Sequence, residues 1–303
     1  MIGAILTTFF FALSAVTGQR VAVQMGSVWG NMVRLLIAAL VLGVCVFLWW
    51  PGSVGGASFQ WFFLSGVIGF GIGDVALFLA YERLGSRLTI LLNLCLAPLF
   101  AMALEWAWLG NGVSLKVAVC AGLIVAGVTL ALRPGAKSRQ MLMRKGKFGV
   151  GVVAAVIAGC GQGTGAVISR KAGEVAIAEG MEINGISAAF QRVFAGLVFA
   201  AVAVLVIRLW GKRTTWQEWG NPLDRSIAPW LLGAALFGPV IGVSCFQWAL
   251  SSLESGIVLA VVAATPVVMI PLAALNEGDH PSRFAIFGAI FAVIGVVLLN
   301  IWA

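Results

Sequence analysis

Four charged side chains lie inside long apolar segments of this 303-residue chain, namely Arg34, Asp74, Glu105 and Arg192. A charge near the centre of a membrane helix costs roughly 2.5–3.5 kcal/mol on insertion scales, so each of these side chains needs an ion-pair partner or a water-filled cavity. A carboxylate in such a cavity can exchange a proton or hold the amine of a bound solute. These four residues are therefore the first candidates for a functional site.

The spacing of two of these charges predicts that they meet. Arg34 lies six residues into the second apolar segment, about 9 Å deep at 1.5 Å per residue. Asp74 lies nine residues before Arg83, where the third segment ends, which is about 14 Å. The second segment begins and the third ends on the same side. We therefore predict an Arg34–Asp74 ion pair, or a shared water network, near that side.

Two interpretations of Asp74 stay open: a proton or amine site, and a structural ion pair between the second and third segments. For Arg34, Arg192 and Glu105 a structural role is favoured. The two arginines occupy equivalent positions in two similar halves of the chain, and a symmetric residue suits a scaffold better than an asymmetric solute. Long side chains near helix ends can also reach the interface. Asp74 differs, because its counterpart is Val243.

Uncharged polar side chains supply the other candidates for a binding cavity. Asn93, Gln162 and Gln247 each lie within an apolar segment, and Trp248 could add an aromatic wall, as ligand pockets often have. Gln162 belongs to a run of alternating glycines at 159–165, and small residues let helices approach closely or bend. No strand precedes this run, so it does not fit a nucleotide-binding loop. Hydrogen bonding between helices is the alternative role for Gln247.

The sequence offers no ligand set for a metal or a cofactor. Five cysteines lie singly in separate segments, none in a Cys-x-x-Cys pair, and the chain has one histidine, His280. Zinc, haem and iron–sulfur centres need clusters of such ligands. We therefore expect no metal and no cofactor.

The elements that must position these residues are membrane helices. The chain is 61% hydrophobic and 10% charged, with a mean hydropathy of +1.05, unlike soluble domains. Membrane barrels alternate polar and apolar residues, and these segments do not. Turn residues such as Pro51 divide the apolar runs into lengths that can cross a membrane as helices. We place ten spans at 2–24, 28–50, 59–83, 86–108, 113–132, 148–170, 184–208, 227–252, 255–276 and 282–302.

The basic residues indicate the topology. Fourteen lysines and arginines fall in the odd-numbered loops between spans and three in the even-numbered loops. Such residues collect in cytoplasmic loops, so the odd-numbered loops, including 133–147, are expected in the cytoplasm and both termini outside a bacterial-type inner membrane. The net charge of +8 then reflects topology, and we expect no nucleic-acid partner.

The chain reads as two repeats of five spans, 1–132 and 148–303, joined by the basic linker 133–147. The matching landmarks, in chain order, are 32–40 with 190–198, 69–73 with 237–242, 84–86 with 253–255, Pro98 with Pro266, and 110–112 with 276–278. An odd number of spans per repeat inverts the second repeat in the membrane. Inverted repeats recur in secondary transporters, with a binding site near the midplane between them.

These features resemble the EamA family of the drug/metabolite transporter superfamily. The resemblance rests on the ten spans, the duplication, the arginine of the second span, and a proline-bearing fourth span followed by Leu-Gly-Asn or Asn-Glu-Gly. It covers essentially the whole chain and implies a ten-helix exporter or exchanger with a cavity lined mainly by spans 1, 3, 4, 6, 8 and 9. Many relatives carry basic segments that place the termini inside, in contrast to the charge count here. The first repeat has Asn111 where a glutamate is usual, whereas the second keeps Glu277.

The predicted function is that of a secondary transporter, not an enzyme, that exports or exchanges a small organic metabolite by alternating access through a central cavity. Its partners are then the lipid bilayer, a small-molecule or lipid substrate and, through Asp74, protons as a candidate coupling ion; the chain is a monomer or a homodimer. A flippase of a lipid or lipid-linked headgroup is the alternative, because the apolar helix faces would tolerate a lipid tail. An integral-membrane enzyme or a structural subunit fits poorly, because the carboxylates lie at different depths and form no catalytic cluster.

Overall fold

Every regular element is a helix in the part of the chain that the computed structural model describes, which is residues 1–109, 115–131, 148–210, 220–253, 255–278 and 282–302. The helices are α1 (Ile2–Met25), α2 (Ser27–Trp49), α3 (Gly56–Gly66), α4 (Asp74–Leu109), α5 (Leu115–Ala131), α6 (Phe148–Ala178), α7 (Gly185–Trp210), α8 (Ala228–Ala235), α9 (Val243–Ser252), α10 (Ser255–Val262), α11 (Thr265–Glu277) and α12 (Arg283–Trp302). Two π-helical segments, π1 (Val67–Gly73) and π2 (Leu236–Gly242), join α3 to α4 and α8 to α9. The linker 133–147, Asn111 and His280 lie outside the described residues.

Seven helical stretches of the described residues are long and apolar enough to cross a membrane, and two shorter apolar helices, Val119–Ala131 and Arg283–Leu299, accompany them. One of the seven, Gly56–Trp108, has 53 residues, about 80 Å at 1.5 Å per residue against a hydrocarbon core of roughly 30 Å. Gly85, with a φ of 78°, kinks this stretch within α4, at the predicted boundary between two spans. The protein is therefore a multi-pass membrane protein.

Glycine also makes the sharpest connection between helices. Gly26, with a φ of 82°, is the single residue between α1 and α2. This backbone conformation is open to glycine and strained for other residues. The two long apolar helices can therefore follow one another with no loop between them.

Helix α6 is longer than predicted. It continues to Ala178, although its apolar run was expected to end at 170. Arg170 and Lys171 lie one turn before Glu174, and their side-chain nitrogens are 3.7 and 3.4 Å from its carboxylate oxygens. Such i,i+4 and i,i+3 pairs stabilise a helix at its polar end. The first charges thus mark where α6 leaves the apolar layer rather than where the helix ends.

The glycine run of α6 lets this helix pack closely against α3, π1 and α4. A Cβ atom on Gly163 would lie 2.1 Å from the carbonyl oxygen of Ala97, and one on Gly161 would lie 2.8 Å from the carbonyl oxygen of Ile68. Small residues permit such backbone-to-backbone contact between membrane helices. The predicted close approach is therefore confirmed, and it brings Gln162 against the centre of the first half.

Candidate functional site

A small cavity lies between the two halves of the chain, beside both π segments. Its volume is about 60 Å³ and its walls come from α1, α2, π1, α4, α6, α7, π2 and α9. Its polar lining residues are Ser14, Arg34, Asp74, Tyr81, Asn93, Gln162 and Arg192. Since liquid water occupies about 30 Å³ per molecule, the cavity has room for a few water molecules in this conformation.

The predicted ion pair between Arg34 and Asp74 is formed. A guanidinium N–H of Arg34 donates to Oδ2 of Asp74 and another bond from the same nitrogen reaches Oδ1 of Asn31 at 2.9 Å. The guanidinium also lies over the ring of Phe78, 4.7 Å from its centroid. Both charged side chains are largely buried. Helix rise alone was enough to place them within about 5 Å of each other in depth.

The two π segments shape the cavity around the arginines. They occupy equivalent places in the two repeats, and the residue directly after each is Asp74 in one and Val243 in the other. A Cβ atom on Gly238 of π2 would lie 3.2 Å from Nη1 of Arg34, and one on Gly69 of π1 would lie 3.1 Å from Nη2 of Arg192. Each arginine therefore lies where a glycine leaves room for it. π-Helical turns are rare and frequently occur at functional sites.

Arg192 differs from Arg34 in having no polar partner. It is buried, with 2% of its surface exposed, and its guanidinium lies 5.2 Å from the ring centroid of Phe70. Among the described residues it makes no hydrogen bond and no ion pair, and its Nε atom is fully buried. Arg192 thus lines the cavity without a direct ion-pair partner, although Asp74, which is paired with Arg34, attracts it from a longer distance. The structural role expected for it does not account for this.

Of the uncharged candidates, Asn93 and Gln162 line the cavity, and Oδ1 of Asn93 is buried without a partner in the described part of the chain. Gln247 and Trp248 are not among the lining residues, so the packing does not support the cavity position predicted for them. Oε1 of Gln247 accepts a hydrogen bond from Oγ of Ser169 at 2.6 Å, which joins α9 to α6, and Trp248 is 51% exposed on the outside of the bundle.

Glu105 lies away from the cavity and links the repeats. Its Oε1 accepts a hydrogen bond from the hydroxyl of Ser255 at 2.8 Å, where α10 begins. Glu277 makes the equivalent contact from the second repeat: its Oε2 accepts a hydrogen bond from the backbone N–H of Ser86 at 3.1 Å. Carboxylates that accept from the first turn of a helix stabilise it. These contacts agree with the structural role predicted for Glu105.

Sequence reasoning missed two polar residues of the cavity lining, Ser14 and Tyr81. Tyr81 is the only tyrosine of the chain and lies seven residues after Asp74, which is two helical turns and therefore the same face. Because the chain has only this tyrosine, its occurrence inside an apolar segment was a signal that could have marked it as a cavity residue. Ser14 had no comparable signal, because small hydroxyl residues are frequent at contacts between membrane helices.

Comparisons with known proteins decide the family. The model of the EamA-like transporter family matches residues 1–133 and 149–301, that is, both repeats. The chain belongs to the EamA-like transporter family. Members of this family are membrane transporters, which agrees with the predicted class of protein.

A solved structure described only as "Crystal structure of protein" is similar to this EamA-family chain, with a TM-score of 0.66 and 15% sequence identity. The similarity covers 98% of this chain and 94% of that chain. At this level of identity it shows a shared fold alone. A comparison with curated proteins finds no match.

Proposed function

We propose that this EamA-family protein is a secondary transporter that exports or exchanges a small organic metabolite by alternating access through the central cavity. The observation that carries the proposal is the cavity between the repeats, which holds Arg34, Asp74 and Arg192. Charges within a membrane protein mark solute or ion pathways. Ten spans in two inverted repeats of five would frame this site, as in other secondary transporters.

The size of the cavity supports a conformational cycle. Ligand pockets measure roughly 300–1,000 Å³, so the cavity of about 60 Å³ must expand to admit a metabolite. Two of the segments that wall it are π-helical, namely π1 and π2 with its Pro239. The neighbouring helices α10 and α11 are separated by a break, after which Pro266 stands at the start of α11. Prolines and π turns both weaken the hydrogen-bond ladder of a helix.

Proton coupling through Asp74 is a further part of the proposal. The carboxylate is tied to Arg34, so a protonation change there would free a cation beside the cavity. In proteoliposomes, Asp74→Asn should transport without responding to an imposed pH gradient. An unchanged pH response would remove Asp74 as the coupling site and leave the transport function standing.

The lipid-flippase alternative has less support, because three charged side chains contributed by both repeats line the cavity. The proposed orientation keeps the linker 133–147 in the cytoplasm and both termini outside. A reporter fused at Ala303 that is active only in the cytoplasm would overturn it.

Alternating access can be tested without knowing the substrate. The five native cysteines are replaced by alanine or serine, and Gln162→Cys is then probed with a membrane-impermeant maleimide applied to one side or the other of reconstituted vesicles. We expect labelling from both sides, because Gln162 lines the cavity. Ala189→Cys is the control, since Ala189 is fully buried in an apolar cluster and should not react from either side. Labelling of Gln162→Cys from one side alone would refute alternating access.

A further inference from the structure

The arginines of the two repeats differ in their polar partners, and the difference that changes the charge is one carboxylate. Arg34 has Asp74 as its ion-pair partner, and Asp74 is the residue directly after π1. The equivalent arginine is Arg192, and the residue directly after π2 is Val243. Helices α7 and α9, which carry Arg192 and Val243, pack against each other, and both side chains line the central cavity. The second repeat therefore has the cation and the site but lacks the anion.

We propose that the central cavity binds the carboxylate of a small organic monoanion against Arg192, in place of the acidic side chain that the second repeat lacks. This names the substrate class for the transport function proposed above and rests on it. The occupant of the site is the carboxylate group of the metabolite, and the remainder of the metabolite fills the cavity once it expands.

The charge of the site favours a single negative charge on the ligand. Arg34 and Asp74 neutralise one another, which leaves Arg192 as the net charge of the cavity lining. A monoanion would compensate that charge, whereas a dianion would also face the carboxylate of Asp74. Burying an unpaired cation is costly, so a ligand anion gains the interaction that the protein does not supply.

The geometry around Arg192 favours a planar two-oxygen acceptor. The guanidinium is held between Gly69 of π1 and Gly165 of α6, where added Cβ atoms would lie 3.1 and 3.2 Å from its Nη2, and over the ring of Phe70. A guanidinium fixed in this way presents its N–H groups as a rigid fork, which matches a carboxylate in a bidentate bond. Gln162, Asn93 and Tyr81 could then bond other polar groups of the ligand, because the structure shows no hydrogen bond from any of their side chains within its described residues.

The binding test uses the full chain, purified in detergent, and sodium acetate, propionate and benzoate as probes. Each replaces sodium chloride at constant sodium concentration, and acetamide, propionamide and benzamide serve as uncharged controls. We expect at least one carboxylate to raise the unfolding temperature by about 2 °C or more, and its amide to have no effect. Arg192→Gln should weaken the response about ten- to a hundredfold in half-saturating concentration.

A second pair of variants tests the equivalence of the repeats. Val243→Asp supplies the missing carboxylate, and Val243→Asn is its uncharged control of nearly equal size. Without ligand, Val243→Asp should unfold at a higher temperature than Val243→Asn, and it should no longer respond to carboxylates. Equal responses to carboxylates, chloride and amides, or a Val243→Asp protein less stable than Val243→Asn, would overturn the proposal.

Failure of this site and failure of transport give different results. Binding is measured in detergent and movement in vesicles. If the protein binds a carboxylate through Arg192 but Gln162→Cys is labelled from one side alone, the anion-site proposal stands and alternating access is refuted. If Gln162→Cys is labelled from both sides but the protein binds no carboxylate, the transport proposal stands and the anion-site proposal is refuted.

Discussion

A single methyl group added to helix α6 should destabilise the protein at Gly163 and leave it unharmed at Gly173. At Gly163 the new Cβ would lie 2.1 Å from the carbonyl oxygen of Ala97 and 3.0 Å from the backbone nitrogen of Ala101, against an ordinary contact of 3.4 Å or more. Both neighbours are backbone atoms, so no side-chain rotation can relieve the contact and α6 must move away from α4. Overpacking of this kind costs typically about 1–3 kcal/mol.

Gly173 is a matched control on the same helix. A Cβ there would meet nothing within 4 Å, so only the conformational preference of the backbone remains. Alanine is favoured over glycine in a helix by roughly 0.5–1 kcal/mol. Gly173→Ala should therefore equal or slightly exceed the wild type in stability, although the chemical change is identical.

Thermal unfolding of the purified proteins in detergent, followed by the fluorescence of the 12 tryptophans, measures the difference. A change of 1 kcal/mol shifts the midpoint by roughly 2–4 °C in domains of 150–250 residues, so we expect Gly163→Ala to unfold about 2–12 °C below the wild type. If Gly163→Ala matched the wild type, or if both variants fell equally, the close packing of α6 on α4 would not be a source of stability.

Three further variants test the polar contacts. Asp74→Asn should lower stability by about 3–5 kcal/mol, since it leaves a buried Arg34 unpaired, and adding Arg34→Gln should restore most of the loss in a double-mutant cycle followed by thermal unfolding. Glu277→Leu should cost about 1–3 kcal/mol, because the backbone N–H of Ser86 loses its acceptor; retained stability in the same assay would show that this contact is dispensable. Glu105→Gln keeps an acceptor for the hydroxyl at the start of α10, so it should unfold within about 1 kcal/mol of the wild type, and a larger loss would point to a role for its charge.

The depth of the ion pair could be predicted from the sequence because helix rise is fixed. Arg34 follows the start of its helix and Asp74 precedes the end of the next one, so counting residues from a shared membrane side gave depths of about 9 and about 14 Å, close enough for the long Arg34 side chain to reach Asp74. The close approach of α6 was predictable for a similar reason, because glycines four residues apart share one helix face: Gly159 and Gly163 leave one face bare against α4, and Gly161 and Gly165 leave another bare against α3 and π1. In both cases the prediction depended on spacing along a regular helix.

The positions of Gln247 and Trp248 could not be predicted, because they depend on helix phase beyond an irregular segment. A π helix bonds i to i+5 and takes more residues per turn than an α-helix, so each π turn rotates the residues that follow it. For Gln247 the sequence left two roles open, and the structure shows the hydrogen bond between helices. Phe246 and Val243 line the cavity instead, and Gln247 points to Ser169.

The symmetry of the arginines suggested the same role for both, but the two differ in their partners, since Asp74 pairs with Arg34 and the position equivalent to Asp74 is Val243. Two equivalent arginines serve a scaffold equally only if both are compensated, and the structure compensates Arg34 alone. Under the carboxylate proposal, the asymmetry at Asp74 and Val243 gives Arg192 a role that Arg34 does not have. A family member with an acidic residue in place of Val243 should have a neutral cavity and should not bind carboxylates, and the thermal-shift panel applied to such a protein would test whether one position sets the charge of the substrate.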